Sequence, residues 1–229
     1  MHLTVRDVAK LLNVSEKTVY RWLGDGIIPA YRVHEQYRFN RAELLEWATS
    51  RRINVSPELY TEPEGATPPP GLTEALKAGG IYYRVDGIDK PSVLKSVVDL
   101  IKLPDEADRE RLLQILLARE SLGSTAIGDG IAIPHVRNPI VLHITQPTVT
   151  LCFLERPVEF GALDGLPVHT LFAIVSPSVR AHLHMLSRLS HTLRDPGVKA
   201  VISTQATRQQ ILEEIQRVEA TLPVPAGRT

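Results

Sequence analysis

Cysteine is all but missing from this chain: Cys152 is the single thiol among 229 residues. One cysteine can form neither an intrachain disulfide nor a thiolate cluster, so a reducing cytoplasm is the expected compartment. Long apolar runs are missing too. None approaches the roughly 18 residues that span a bilayer, and no membrane insertion is expected. The N-terminus, MHLTVRDVAKLL, lacks the apolar core and small-residue cleavage site of a signal peptide. Net charge is also absent, with 26 Lys and Arg against 26 Asp and Glu. That balance by itself neither favours nor disfavours nucleic acid. HExxH and paired-cysteine spacings do not occur, so neither a metal site nor a bound cofactor is expected.

What remains is ordinary globular composition, 43% apolar and 23% charged, in a length that suits one to two domains. Charge is unevenly spread. Residues 1–52 hold nine Lys and Arg against six Asp and Glu, and the remainder 17 against 20. A basic segment on a neutral chain hints at an anionic partner. Residues 54–80 carry five prolines and four glycines without a sustained apolar period, which reads as a linker with room for a short helix around Thr73–Lys77. The expected organisation is therefore a small domain over 1–53, the linker over 54–80, a large domain over 81–221 and a tail over 222–229.

The small domain reads helix, turn, helix, hairpin, helix. Thr4 can cap a first helix with Val5, Val8, Ala9 and Leu12 on its apolar face. Asn13 closes that helix, and Ser15 caps a second one carrying Val19, Trp22 and Leu23. The turn between them has helix-turn-helix length. IPAYRVHEQYRFN suggests a hairpin wing around His34–Gln36, and RAELLEWATSR a last helix. The whole stretch resembles the excisionase-type winged helix-turn-helix. That resemblance implies that Ser15, Lys17, Thr18, Tyr20 and Arg21 face double-stranded DNA, with Arg32 and Arg38 reaching it from the wing.

The large domain reads as α/β, a mixed sheet flanked by helices. Asp89 with Pro91 marks one helix start, and further helices are expected from about Asp105 to Glu120, after Ser178, and from about Thr207. PTVTLCFL and PVHTLFAIV read as central strands. Three stretches, ARESLGSTAIGDGIAIPH, FGALDGLPVHTLFAIVSP and AHLHMLSRLSHTLRD, resemble the enzyme IIA domain of the bacterial phosphotransferase system, of the fructose–mannitol and nitrogen-regulatory type. The resemblance implies that His135 accepts a phosphoryl group from the histidine phosphocarrier protein. It further implies that His182 contacts that group, that Arg119 lies near it, and that the group can pass to a IIB domain or act as a signal. The phosphoryl group would derive ultimately from phosphoenolpyruvate.

The residues make a chemical case of their own. Imidazole is a competent nitrogen nucleophile near neutral pH. Phosphoryl transfer asks a protein mainly for alignment and for donors around the transferred oxygens. Gly128 and Gly130 are expected to let backbone N–H groups approach those oxygens. Relatives commonly carry a small residue after the signature histidine, and Val136 here is expected to narrow access. Three readings follow: a DNA-binding phosphoacceptor, a phosphocarrier whose N-terminal module docks protein, and a DNA-binding accessory protein with an inert IIA remnant. No heptad repeat is present, so any homodimer would use the large domain or DNA.

Overall fold

The computed structural model describes residues 2–33, 36–51, 53, 70–104, 107–136 and 144–222. The chain forms two compact units, residues 1–65 and 66–229. The small unit runs β1 (His2–Leu3), α1 (Val5–Leu11), α2 (Glu16–Gly24), β2 (Tyr31–Val33), β3 (Gln36–Asn40) and α3 (Arg41–Ser50). Thr4 and Asp7 form a capping box at the start of α1, and Thr4's donors hold the Asp7 carboxyl below the usual carboxylate range. Asn13 takes a left-handed φ of 54°, which turns the chain toward α2. Ser15 then caps α2 through the Thr18 amide. The wing is present, β3 pairing antiparallel with β2 and with β1. Residues 34 and 35 of its expected turn lie outside the described residues. Val8, Val19, Phe39, Leu44 and Leu45 are buried at the centre, and Trp22 packs edge-on against Trp47.

The large unit runs α4 (Leu72–Gly79), β4 (Gly80–Val85), α5 (Lys90–Leu100), α6 (Arg109–Ser121), β5 (Ala126–Gly128), β6 (Ile131–Ala132), β7 (Thr148–Val158), β8 (Val168–Val175), α7 (Val179–Thr192), α8 (Pro196–Ser203) and α9 (Arg208–Glu219). Its five-stranded sheet has the order β4-β7-β8-β6-β5. β4 runs parallel to β7 and β6 parallel to β8, while the β7–β8 and β5–β6 pairs are antiparallel. Helices α5 and α6 bury Val93, Leu94, Val97, Leu112 and Leu116 against Cys152, Leu154, Leu171, Ala173 and Val175 on one face. On the opposite face α4 packs on β7 and α7 on β8, with α9 against both helices. This is the expected mixed sheet flanked by helices. Burial pushes the Cys152 thiol up to about 12, so it is core rather than chemistry.

Two expectations need correction. The linker does not run to residue 80, because Leu72–Gly79 is a helix with Leu72 and Leu76 fully buried. The Glu219 carboxylate caps it, accepting from the Leu72 and Thr73 amides at 2.5 and 2.8 Å. The glycines read as linker punctuation serve contact: a Cβ at Gly79 would overlap the Val149 carbonyl. Residues 54–69 and the tail beyond 222 lie outside the described residues. Helix α8 was not expected at all. Asp195 caps it through the Gly197 and Val198 amides with Pro196 in the first turn, an Asp-Pro signal that favours a helix start. Those amides and Arg217 hold the Asp195 carboxyl below its ordinary value.

Candidate functional site

His135 follows Pro134 just beyond β6. The chain still runs alongside β8 there: His135 bridges Ile174 in parallel, and the Ile174 amide donates to the Pro134 carbonyl at 2.9 Å. This register turns the His135 side chain toward the face that α7 covers. The Ser178 hydroxyl accepts from the Ala181 amide and starts α7, so His182 falls in its first turn. The two imidazoles meet there, with ring centroids 5.0 Å apart and planes inclined by 36°. Both are buried, at 3% and 1% exposure. Of the two histidines in HLH, it is His182 whose ring lies beside His135.

The Nδ1 atom of His135 lies 2.7 Å from the Ile133 carbonyl. A carbonyl can only accept, so Nδ1 carries the proton and the ring's lone pair is on Nε2. A backbone atom thus selects the tautomer. Nothing in the side-chain pattern could have announced it, since every residue has a carbonyl.

Val136 does not crowd the histidine. Strand alternation turns it to the other face, where it is buried with Ala173 and Val175 in the α5–α6 core. The expected obstruction is instead a packing anchor that helps fix His135 on its own side.

The glycines are the larger correction. Gly128 and Gly130 have φ of 89° and 68°, flanking Asp129 at 53°, and together they make the turn from β5 to β6. Ile131 pairs Thr170 while His135 pairs Ile174, so four residues of β8, roughly 13 Å, separate that turn from the His135 level. Their amides cannot cradle a group carried by His135. Gly130 instead accommodates His169, whose ring a Cβ would overlap, and its carbonyl accepts from the His169 and Thr170 amides. Arg119 sits in the last turn of α6, where Nη1 donates to the Gly123 carbonyl at 2.9 Å. Glu120 beside it accepts from Thr125 and pairs with Lys90 at 3.2 Å, bracing the loop into β5.

In the small unit, Lys17, Tyr20, Arg21 and Gly24 share one exposed face of α2, at i, i+3, i+4 and i+7. Tyr20 is 53% exposed and packs edge-on against Tyr37 of the wing. Ser15 and Thr18 are engaged locally, their hydroxyls 2.9 Å apart at the cap. Arg38 donates to the Tyr37 carbonyl and to Gln36, so its guanidinium already braces the wing. Arg32 lies on β2 opposite Tyr37; its side chain lies outside the described residues. The expected DNA-facing set thus divides into an open α2 stripe and residues with structural partners.

Comparison with known proteins agrees with the fold of both units. Residues 74–218 match the family model described as phosphoenolpyruvate-dependent sugar phosphotransferase system, EIIA 2. Residues 3–52 match a helix-turn-helix domain. A nitrogen regulatory protein of Pseudomonas aeruginosa is 33% identical over 152 residues, which cover 65% of this chain and 96% of that protein. The fructose-specific EIIABC component of Bacillus subtilis is 30% identical over 149 residues, 64% of this chain and 23% of its own length. The crystal structure of nitrogen regulatory protein IIA-Ntr from Neisseria meningitidis aligns with a TM-score of 0.55 and 27% identity, over 63% of this chain and 98% of that one. Among the described residues, no helix is long and apolar enough to cross a membrane.

Proposed function

The chain belongs to the phosphoenolpyruvate-dependent sugar phosphotransferase system EIIA 2 family, and on that premise we propose that it is a cytoplasmic, phosphoryl-responsive DNA-binding regulator. His135 accepts the phosphoryl group from the histidine phosphocarrier protein. The observation that carries this reading is the imidazole pair, with His135 Nδ1 tied to Ile133 and its ring 5.0 Å from that of His182. The lone pair on Nε2 attacks phosphorus while the proton stays on Nδ1, donated to the Ile133 carbonyl, so no separate base is needed. His182 supplies a nitrogen donor to the oxygens as charge shifts onto them. Loading places a dianionic phosphoryl group on a ring that keeps its Nδ1 proton, a net change of about one negative charge, and that group is the signal a regulatory target or a IIB domain reads.

The N-terminal helix-turn-helix binds duplex DNA through Lys17, Tyr20 and Arg21. Lys17 and Arg21 neutralise phosphates or reach a guanine edge. The competing reading is a protein-docking module, favoured by one observation: the exposed Tyr20 packs on a half-buried Tyr37, and surface aromatics are a frequent feature of protein interfaces. The two separate on salt. DNA binding predicts that Arg21→Ala lowers the slope of log K against log salt by about one; no duplex binding at low salt selects the docking module.

The test of the acceptor is direct. With phosphoenolpyruvate and the general phosphotransferase proteins, the wild-type chain should gain an acid-labile phosphate and His135→Ala should gain none. An unlabelled wild type leaves the inert-remnant reading.

A further inference from the structure

Strand β8 ends at Val175, and Ser176 and Pro177 lead to the Ser178 cap of α7. A residue before proline is held extended, so the alternation of β8 continues through Ser176. Ala173 and Val175 face the α5–α6 core. Ile174 shares the opposite face with His135, and Ser176, one pleat further on, carries its hydroxyl to that same face. Ser176 is 1% exposed, and its Oγ has no hydrogen-bond partner among the described residues. Buried hydroxyls without partners are rare because the lost water is not replaced. This one lies between the strand level that aligns His135 and the helix turn that carries His182.

We infer that Ser176 is a phosphoryl-binding residue of this site, its hydroxyl donating to a non-bridging oxygen of the group on His135 Nε2. The inference rests on the reading of His135 as acceptor. In the transfer, the N–P bond of the donor's phosphohistidine breaks and its electron pair stays on the donor imidazole. The His135 Nε2 lone pair forms the new N–P bond. The donor ring, protonated on its other nitrogen, departs neutral; the His135 ring keeps its Nδ1 proton, and the Ser176 hydroxyl keeps its own. A hydroxyl partnered only as the group arrives stabilises the transition state and the loaded state over the empty one; the first raises the transfer rate and the second lengthens the life of the label.

The test uses the full chain with phosphoenolpyruvate and the general phosphotransferase proteins, comparing wild type, Ser176→Ala and Ser176→Cys. Initial labelling rate, lifetime of the label and Tm of the unlabelled proteins are measured. Both variants lose the strong donor, while cysteine keeps the volume. Both should label about tenfold more slowly and lose the label sooner. The unlabelled Ser176→Ala protein should melt at or above the wild-type temperature, because an orphaned polar group has been removed. Labelling and decay at wild-type rates in both variants overturn the inference and leave His135 as acceptor. So does slowing in Ser176→Ala alone, or slowing that follows a fall in Tm, since volume or packing then explains it. An unlabelled wild type removes the acceptor reading and this inference with it.

Discussion

Each end of β8 lies beside a histidine, and the two are held differently. At the Gly130 end, His169 lies on a glycine, with Nδ1 2.8 Å from the Thr170 hydroxyl. At the Ile174 end, His135 is oriented by a carbonyl and faces a second imidazole. A hydroxyl can donate or accept and so leaves the His169 tautomer open; the Ile133 carbonyl leaves His135 only one. The lesson is that the signature run GDGIAIPH serves two ends of one strand. Its glycines build a turn that seats His169, and its Pro-His end builds the candidate site.

The largest effect that would break this contrast is on labelling itself. His135→Ala should lose phosphoryl uptake by more than about a hundredfold, while His169→Ala stays within about twofold. Uptake lost equally in both would mean that the two ends act as one site. Next comes His182→Ala, which removes a donor to the charged oxygens and should slow labelling about ten- to a hundredfold with little change in Tm. Rates within twofold of wild type would reduce the paired imidazole to packing.

Gly130→Ala sharpens the other side of the comparison. A left-handed backbone and overlap with the His169 ring should cost about 2 kcal/mol, read as a lower urea midpoint, yet labelling of the folded protein should persist. Replacing His169 by alanine in the same chain should recover part of that loss. Labelling lost with stability intact would restore the glycines to the phosphoryl site.

The smallest effect concerns a third histidine, His191 near the end of α7. Partial burial, with Arg194 and Arg188 adding, holds its pKa below the ordinary value and Asp195 opposes them. Below 6.5 the unfolded chain therefore takes up a proton that the folded one resists, so this contribution to stability is lost as pH falls. His191→Gln should make the melting temperature less sensitive to acid over that range, and an unchanged slope would count against it.

Helix starts were legible wherever a cap and an apolar period coincide, as at Asp89, Ser178 and Thr207. The pairing of the two imidazoles was legible only through motif resemblance, because the β8 register and the α7 cap, not sequence neighbourhood, bring His135 to His182. Glycine spacing announces left-handed turns without saying what they approach, which is why Gly128 and Gly130 were assigned to the wrong end. Helix α4 was legible only as a short helix around Thr73–Lys77 within a linker; flanking glycines and prolines hid its full length and its burial, although Leu72 and Leu76 already sit one helical turn apart. The Ile133 carbonyl and the Ser176 hydroxyl carry no pattern at all; only the pairing register gives them meaning.

The most direct measurement is the nitrogen that holds phosphorus. Phosphorylated protein carrying ¹⁵N-labelled histidine should show phosphorus coupled to Nε2 of His135, with Nδ1 still bearing its proton. Phosphorus on Nδ1, on another histidine, or on no imidazole would contradict the account.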